Sequence, residues 1–481
     1  MQLETVIGLE VHIHLKTKTK VFCGCSTEYG NPANTQTCPV CLGFPGSLPV
    51  LNEKALEYAA KVALALDCAV QEFIKFDRKN YFYPDLPKNY QISQYDMPIG
   101  LSGVLEIDVG ESKKKIRVKR VHLEEDAGRL LHKQDEPYSL VDYNRGGMPL
   151  LEIVSEPDIN SPEVAFEYLR TLKLIVQYLG VSDCDMEKGS LRCDANISLR
   201  PKGQKELGTK TELKNMNSFK GVRSALEYEV KRQEKLLGKG EKISQETRLW
   251  DENKQLTFTM RTKEEAHDYR YFPDPDLVPF VLSKEFIKTL KKEISSIESY
   301  PQKLKKYLEL GLSQKEAEEI ASSPNNFAIV YDNCIKENKG KAKDIYNWVV
   351  GPVQAYANEK NEMVSNLNIN VRQLIKIIDY VGDDKLSNLA AKDVFRYSQE
   401  NNKSVDEAIK EKGLSQVSDE VELEKIVEKV VGENPKPVKD FLSGNENAVM
   451  FLVGQTMKLS KGKANPKIVK EIIKRRLKDV S

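Results

Sequence analysis

The 481-residue chain is 40% hydrophobic and 30% charged, with a formal net charge of +1. This composition excludes a disordered or membrane-embedded protein, and the length favours two to four domains. The first residues, MQLETVIGLEVHIHL, lack the basic and apolar segments of a secretion signal, and no run of about 18 apolar residues occurs. We therefore expect a cytoplasmic protein without membrane segments.

The first predicted element is a β-strand over residues 9–15. Apolar residues alternate there with three polar ones, Glu10, His12 and His14, which gives the strand one apolar and one polar face. Glutamate together with histidine is a set that holds divalent metals. Glu10 and His12 are therefore candidate metal or catalytic residues, whereas His14 is expected to be solvated.

Four cysteines follow in two close pairs, Cys23 with Cys25 and Cys38 with Cys41. Two pairs of thiolates at this spacing predict a tetrahedral, structural Zn²⁺ site. Free core cysteines and a nucleophilic Cys25 are alternatives that the spacing leaves open. The remaining cysteines are expected in the core, and they are Cys68, Cys184, Cys193 and Cys334.

Residues 105–118 predict a β-hairpin, and a slip in the apolar alternation predicts a bulge near Arg120. Beyond the bulge, His122 and Glu124 share a face, and Glu125 and Asp126 follow. Consecutive acids at a strand end repel one another unless a cation or ordered donors offset the repulsion.

Another carboxylate, Glu152, lies inside the apolar run 150–154 and needs a buried partner. Carboxylates and an imidazole from separate strands are predicted to form a Mg²⁺ site that leaves positions open for phosphate oxygens. Its candidate ligands are Glu10, His12, Glu124, Glu125 and Glu152.

Residues 190–200 alternate without interruption and predict a long strand, whose polar face carries Arg192, Asp194 and Asn196. Such a face suits binding of a phosphate or orientation of a metal or water. Lys79 is a second candidate phosphate ligand. Cross-strand ion pairs on an outer sheet face are the alternative.

From about residue 293 the apolar spacing becomes helical, as in residues 316–321, 371–380 and 422–431. We predict domains at 1–292, 293–410 and 411–481. Residues 458–481 hold nine Lys or Arg against two acids, which favours phosphate contacts with a nucleic acid, although a solvated helix face is equally compatible. The candidate nucleic-acid ligands are Lys458, Lys461, Lys463, Arg475 and Arg476.

Common nucleotide-binding motifs are missing from the sequence. There is no GxxxxGK[ST] loop, no GxGxxG after a strand and no protein-kinase catalytic loop. If the chain uses a nucleotide, another architecture must hold it.

Long segments closely resemble the GatB subunits of the GatCAB family of tRNA-dependent amidotransferases. They include FDRKNYFYPDLPKNYQISQYDMPI, RVHLEEDAGR, LVDYNRGGMPLLEIVSEPD, EKGSLRCDANISLRP and AHDYRYFPDPDL. The segment FLVGQTMKLSKGKANP resembles the family's carboxyl-terminal domain. The resemblance thus extends over essentially the whole chain.

The resemblance implies an α+β fold, in which an antiparallel-sheet cradle similar to glutamine synthetase precedes two all-α domains. It implies a carbon–nitrogen ligase that uses ATP and Mg²⁺ to phosphorylate the side-chain carboxylate of Glu-tRNA(Gln) or Asp-tRNA(Asn). Ammonia made from glutamine by the amidase partner, GatA, then amidates that group, and a small third protein, GatC, joins the heterotrimer.

The resemblance also implies roles for individual residues. The implied Mg²⁺ ligands are Glu10, His12, Glu124 or Glu125, and Glu152. The implied catalytic residues are Glu10, Glu125, Lys79, Arg192 and Asp194, and the implied ATP ligands are Lys79, Tyr81, Arg192 and Asn196. A non-catalytic, zinc-stabilised tRNA-binding adaptor is the main alternative, and a free-standing ligase would leave the basic terminus unexplained.

Overall fold

The computed structural model describes residues 2–110, 112–132, 136–262, 268–323, 326–383, 385–413, 420–443, 447–460, 464 and 466–478. The chain forms two compact units, residues 1–300 and residues 301–481. Within the described residues, no helix is long and apolar enough to cross a membrane. The finer division at 292 and 410 stays a prediction.

The first unit contains the strands. They are β1 (Leu3–His14), β2 (Ala69–Val70), β3 (Phe73–Ile74), β4 (Asp77–Asn80), β5 (Tyr90–Ser93), β6 (Gly100–Val109), β7 (Ser112–Glu125), β8 (Arg129–His132), β9 (Ser139–Asp142), β10 (Pro149–Ser155), β11 (Leu191–Pro201), β12 (Thr211–Lys214), β13 (Glu246–Asp251), β14 (Leu256–Thr262), β15 (Phe272–Pro273) and β16 (Phe280–Val281). Its helices are α1 (Glu53–Ala65), α2 (Pro162–Tyr178), α3 (Phe219–Gly238) and α4 (Lys284–Ser295).

The helices from the unit boundary onward form the second part of the chain. They are α5 (Tyr300–Glu309), α6 (Gln314–Ser322), α7 (Phe327–Glu337), α8 (Ala342–Trp348), α9 (Gln354–Lys360), α10 (Val371–Gly382), α11 (Asn388–Asn401), α12 (Val405–Lys412), α13 (Glu420–Glu433), α14 (Pro435–Leu442), α15 (Ala448–Leu459) and α16 (Pro466–Lys478). The protein is therefore a mixed α and β structure, with a large sheet followed by a helical region.

The large sheet has the strand order β14-β13-β12-β11-β1-β10-β7-β6-β2. Neighbouring strands in it are antiparallel except β12 and β13, which are parallel. The expected antiparallel arrangement holds for the other neighbouring pairs of this sheet, and β12 with β13 departs from it. Parallel neighbours need a crossover connection, and α3 lies between the two strands in the chain.

The predicted alternation in β1 is confirmed, and it decides which face of the sheet carries polar groups. Leu9, Val11 and Ile13 are at most 1% exposed, and they lie in one apolar core with Leu172 of α2 and Leu226 of α3. Burial of each such side chain contributes about 1.5–3 kcal/mol. Because helices cover this face, Glu10 and His12 extend from the other one.

The predicted hairpin and its bulge are also confirmed. β6 and β7 pair with Val109 opposite Ser112. On the other side of β7, Val154 lies opposite Arg120 while the next residue, Ser155, lies opposite Val118. The extra residue in β7 shifts its alternation by one position, so that His122 and Glu124 face the same way as the polar residues of β1.

The helical patterns predicted in the second half are confirmed by α6, α10 and α13. One π-helical turn, Val349–Val353, joins α8 to α9 and contains Pro352. Proline has no N–H for the carbonyl four residues earlier, so the turn widens there. Near the end of the chain, α13, α15 and α16 pack around a core that includes Leu423, Leu452 and Ile473.

Candidate active site

The register of the central strands brings polar residues together on the open face of the sheet. Arg192 of β11 and Glu152 of β10 lie on either side of His12, and His122 of β7 lies beyond Glu152. Four strands therefore contribute one row of polar side chains, in the order Arg192, His12, Glu152 and His122. Paired neighbours in such a row are close enough for their side chains to interact.

Glu152 is the centre of this row, and its side chain is almost fully buried. Its carboxylate lies 3.3 Å from Nε2 of His12 and 3.4 Å from Nε2 of His122. Its other oxygen accepts a hydrogen bond of 3.2 Å from Nη2 of Arg120. The partner that the sequence required for a buried carboxylate is thus a set of two imidazoles and a guanidinium.

Two groups of three side chains, which share Glu152, have the composition of metal sites. Glu10, His12 and Glu152 form one group, and His122, Glu124 and Glu152 form the other, with the ligand atoms of each group within 4.8 Å of one another. Carboxylate oxygens with an imidazole suit a hard or borderline divalent cation. The residues present therefore fit Mg²⁺ or a similar ion.

The close approach of these charged groups shifts the pKa values of His122, Glu10 and Glu152. Burial alone would lower the pKa of His122, but the carboxylates of Glu152 and Glu124 outweigh burial and raise it to about 9. Burial and the neighbouring Glu152 raise the pKa of Glu10. Burial would also raise the pKa of Glu152, but His122 and His12 hold that pKa well below its ordinary value. In the absence of a cation, protons on imidazole therefore balance the carboxylates.

The structure separates the two neighbouring glutamates that the sequence could not distinguish. Glu124 accepts a hydrogen bond of 2.9 Å from Oγ of Ser93 and faces His122. Glu125 belongs to neither three-residue group. Its carboxylate accepts bonds of 2.7 Å from Nζ of Lys88 and 2.8 Å from the Ile92 backbone N–H. The alternation of β7 puts the two side chains on opposite faces.

The expectation that His14 is solvated is wrong. Its Nε2 lies 2.6 Å from Oδ2 of Asp126, and the same oxygen accepts a 2.6 Å hydrogen bond from Nη2 of Arg192. Burial alone would raise the pKa of Asp126, but Arg192 and His14 hold that pKa far below its ordinary value. Sequence reasoning did not select Asp126, although an isolated run of three acids at a strand end was the available signal.

Lys79 and Tyr81 lie on a smaller sheet, β15-β4-β5, and on the segment that follows β4. The Lys79 ammonium is 5.6 Å from the ring centre of Tyr81 and 4.8 Å from that of Tyr269. Burial would raise the pKa of Glu124, but His122 and, to a smaller degree, Lys79 lower it below its ordinary value. Tyr269 was not predicted as a site residue, although it lies in the segment AHDYRYFPDPDL.

Asp194 and Asn196 lie further along β11 than Arg192, opposite Glu10 and Gly8 of β1. Asp194 is opposite Glu10 in the sheet and forms an ion pair with Lys214. Asn196 lines a cavity of about 500 Å³ together with Gly8 and Glu10. A Cβ atom at Gly8 would have no neighbour closer than 3.9 Å, so packing does not require glycine there, and its lack of a side chain leaves this part of the cavity open.

A second cavity, of about 690 Å³, lies at the opposite end of β1, where His14 and Arg192 line it. The carboxylate cluster around Glu152 therefore has one cavity beside it toward Gly8 of β1 and a second cavity toward His14 of β1. The two residues of β11 predicted to bind ATP, Arg192 and Asn196, are four positions apart, which is roughly 13 Å along a strand.

The four clustered cysteines do come together. Sγ atoms of Cys23, Cys25, Cys38 and Cys41 lie within 4.8 Å of one another, and this set is compatible with a tetrahedral zinc site. A hydrogen bond from Cys23, followed by smaller effects that include the buried Lys20 ammonium, lowers the pKa of Cys41 to about 5. The other cysteines are buried as predicted: Cys68, Cys184, Cys193 and Cys334.

The basic terminus is less cationic than its sequence suggests. Lys458 is exposed at the end of α15, whereas Lys461 and Lys463 lie outside the described residues. Arg475 and Arg476 of α16 form ion pairs with acids of α13, Glu424 and Glu428. Exposed pairs of this kind are worth only about 0–1 kcal/mol, so phosphates can replace the carboxylates.

Comparison with known proteins adds a family assignment. A model described as the GatB/GatE catalytic domain matches residues 5–288, and one described as the GatB domain matches residues 330–477. The B subunit of the aspartyl/glutamyl-tRNA(Asn/Gln) amidotransferase of Carboxydothermus hydrogenoformans is 50% identical over 480 residues and covers 99% of each chain. The equally named protein of Thermodesulfovibrio yellowstonii is 49% identical over 100% of each chain, and that of Brevibacillus brevis is 51% identical over 98%. The resemblance read from the sequence is confirmed, and the chain belongs to the GatB family.

Proposed function

We propose that this chain is the ATP-using, tRNA-binding component of a tRNA-dependent amidotransferase. It phosphorylates the side-chain carboxylate of Glu-tRNA(Gln) or Asp-tRNA(Asn), and ammonia then displaces the phosphate to give the amide. The observation that carries the proposal is the meeting of Glu10, His12, His122, Glu124 and Glu152 on one sheet face. The names of its relatives support the same reaction.

In this proposal the two groups that share Glu152 are the Mg²⁺ ligands, and Glu124 rather than Glu125 takes part. A Mg²⁺ ion held by these residues would neutralise negative charge that develops on the transferred phosphoryl group. The glutamyl or aspartyl carboxylate is already a nucleophile and needs no strong base. The protein's remaining task is therefore positioning and charge stabilisation.

Cationic side chains at the edges of the site supply the rest of that stabilisation. Arg192 has a buried Nε without a hydrogen-bond partner among the described residues, so it retains donor capacity for a phosphoryl oxygen. Lys79, held between two tyrosine rings, is the second cation in this proposal. The cavity beside Asn196 suits the nucleoside part of ATP, with Asn196 as a ligand, and Asp194 orients Lys214 beside it. Tyr81 does not line that cavity, and in this proposal it contributes to ATP binding through Lys79, which it contacts.

The remaining parts of the proposal are those that the family resemblance implies. The amidase partner, GatA, generates ammonia from glutamine, a small third protein, GatC, completes the heterotrimer, and the complex works in the cytoplasm. The large sheet is a cradle similar to glutamine synthetase, with domain limits at 1–292, 293–410 and 411–481. The basic carboxyl-terminal helices bind the tRNA, and the cysteine site binds structural zinc.

A non-catalytic adaptor is less well supported by the same face of the sheet. Buried Glu124 and Glu152 cost folding free energy unless they pair with cations. An adaptor has no use for such a cluster, whereas a phosphoryl-transfer enzyme needs it to hold metal.

The test is misacylated-tRNA-dependent ATP cleavage by the three-subunit complex. We expect Glu10→Gln to lower this activity by about 10²- to 10³-fold, the usual effect of removing one preorganised charge. Glu4→Gln is the matched control, because Glu4 lies on the same strand and pairs with Arg200 away from the cluster. Equal activity of the two variants would contradict the proposed site.

A further inference from the structure

The strand β5 is held against the end of β7 through side-chain hydrogen bonds. The side chain of Gln94, which follows β5, accepts a bond of 3.0 Å from the Leu123 backbone N–H. Within β5, the Gln91 side chain donates a bond of 2.7 Å to the Glu125 carbonyl oxygen. These bonds fix β5 on both sides of the residue that lies between the two acceptor positions, Glu124.

Ser93, the last residue of β5, bonds to the carboxylate of Glu124. Its Oγ donates a hydrogen bond of 2.9 Å to Oε2, and the same oxygen lies 3.3 Å from Nε2 of His122. Within the described residues, Oε1 of Glu124 has no hydrogen bond of this kind. The two oxygens therefore differ, because the protein holds Oε2 and leaves Oε1 for a cation.

The hydroxyl of Ser93 is out of reach of a substrate. Ser93 is 2% exposed and Glu124 is 3% exposed, so any effect of this hydroxyl on a reaction must pass through the carboxylate. A buried carboxylate also costs folding free energy unless donors satisfy it. The contribution of Ser93 to stability must therefore be separated from its effect on the metal groups.

The bond from Ser93 matters most when His122 ligates a cation. Glu124, His122 and Glu152 form one of the two groups with the composition of a metal site. An imidazole nitrogen whose lone pair ligates a metal cannot donate a hydrogen bond from the same atom. Ser93 is then the donor that remains on Oε2 of Glu124. Such hydrogen bonds orient a ligating carboxylate and tune its affinity for the ion.

The same strand also connects Glu124 to a proposed phosphate ligand. β5 pairs with β4, where Lys79 lies opposite Gln91. The Tyr81 hydroxyl donates a hydrogen bond of 3.2 Å to the Gln91 side chain, and the Lys79 ammonium lies over the ring of Tyr81. The strand that holds Glu124 thus also places Lys79.

We propose that Ser93 is a positioning residue for the metal groups, an inference that rests on the proposed function. Its hydroxyl holds Oε2 of Glu124 and thereby leaves Oε1 for the divalent cation. Ser93 touches neither substrate nor reacting atoms and acts through Glu124. Loss of a donor of this kind usually lowers metal affinity or activity by about 10- to 100-fold.

Titration of the three-subunit complex with Mg²⁺ tests this role. Ser93→Ala removes the hydroxyl without adding volume, and it should weaken Mg²⁺ binding, measured by calorimetry in the absence of ATP, by about 10- to 100-fold. Its misacylated-tRNA-dependent ATP cleavage should fall at low Mg²⁺ and recover at high Mg²⁺, while the KM for tRNA stays unchanged. A serine with a purely structural role would lower the unfolding temperature and leave the Mg²⁺ affinity unchanged.

Matched variants isolate the hydroxyl. Ser93→Thr keeps it and should bind Mg²⁺ like the wild type, whereas Ser93→Val has the same shape without it and should bind Mg²⁺ like Ser93→Ala. Ser182→Ala removes another buried hydroxyl, which accepts a hydrogen bond from the Cys184 backbone N–H. This control should leave the Mg²⁺ affinity unchanged. If the added methyl group prevents folding of the Thr and Val variants, the comparison of Ser93→Ala with Ser182→Ala decides.

The outcomes separate this inference from the proposed function. If the wild-type complex is active and Ser93→Ala binds Mg²⁺ with wild-type affinity, the inference is overturned and the proposed function stands. Equal Mg²⁺ affinities of folded Ser93→Thr and Ser93→Val, or lost activity that high Mg²⁺ does not restore, would also overturn it. A wild-type complex that binds no Mg²⁺ and cleaves no ATP would contradict the proposed function together with the inference.

Discussion

Replacement of Glu152 by glutamine tests the metal groups most severely, because this carboxylate belongs to both of them. Glutamine keeps the size and one carbonyl oxygen but removes the charge between His12 and His122. We expect the three-subunit complex to lose at least about 10³-fold in misacylated-tRNA-dependent ATP cleavage, the upper end of the effect of one preorganised electrostatic group, since both groups lose a ligand.

The size of the effect of Glu152 on the protonation of His122 can be worked out from the raised pKa of that histidine. A change from the ordinary value of 6.5 to about 9 for His122 corresponds to about 3 kcal/mol in favour of the protonated form. Glu152 is the largest favourable contribution, and burial opposes it. In the Glu152→Gln variant we therefore expect the pKa of His122 to fall, because its largest favourable partner is lost while burial still disfavours the charged form. NMR titration of the metal-free protein would follow this change.

A matched variant separates loss of metal binding from loss of stability. Glu246 of β13 is equally buried and accepts a hydrogen bond of 2.9 Å from Arg248, far along the sheet from β10. Glu246→Gln should destabilise the protein without abolishing activity, and calorimetric titration with Mg²⁺ should show binding to it but not to Glu152→Gln. If Glu152→Gln binds Mg²⁺ like the wild type, or keeps a tenth of the activity, the assignment of the metal groups is wrong.

Three further predictions concern pH, a buried anion and zinc. Because Mg²⁺ displaces protons from the cluster around His122, Mg²⁺ binding at pH 7.5 should release protons, and the affinity for Mg²⁺ should rise toward pH 9. Calorimetric titration in buffers of different ionisation enthalpy measures the release, and finding none would contradict the prediction. Asp126→Asn leaves His14 and Arg192 without their shared anion and should cost about 3 kcal/mol, from charge-assisted bonds worth about 1.5–3 kcal/mol each. Since the pKa of Asp126 is lowered by folding, this cost should be present at pH 7 and shrink as pH falls below about 4, and equal denaturation midpoints at pH 7 would refute it. Cys38→Ser should lower the zinc content, measured by mass spectrometry, from one ion per chain toward none, and metal-free wild-type protein would contradict the cysteine site.

The sequence predicted the strands of this site because their apolar and polar residues alternate strictly. Glu10, His12 and Arg192 were selected for that reason, and the pairing of β1 with β10 and β11 puts them beside Glu152. The slip in alternation near Arg120 also predicted that His122 and Glu124 share a face, and the pairing of β7 with β10 confirms the bulge. What alternation cannot provide is the partner of each carboxylate: Glu124 faces His122, whereas Glu125 accepts hydrogen bonds from Lys88 and from the Ile92 backbone N–H.

Other parts of the site depended on contacts between distant segments. His14 appeared solvated because nothing near it in sequence is its partner, yet Asp126 lies 112 residues away and binds it. Tyr269 approaches Lys79 only because β15 pairs with β4. The parallel pair β12–β13 likewise arose from a helical crossover that periodicity does not reveal. Long-range pairing, rather than local propensity, accounts for these differences.

The central claim is that this sheet face phosphorylates the aminoacyl side-chain carboxylate, and an isotope measurement tests it directly. Misacylated tRNA with ¹⁸O in both oxygens of that carboxylate is incubated with the complex, ATP, Mg²⁺ and ammonia, and the phosphate released is analysed by mass spectrometry. An acyl phosphate intermediate transfers one ¹⁸O to each orthophosphate formed. Appearance of the label in AMP, or its absence from orthophosphate while amide is produced, would contradict the account.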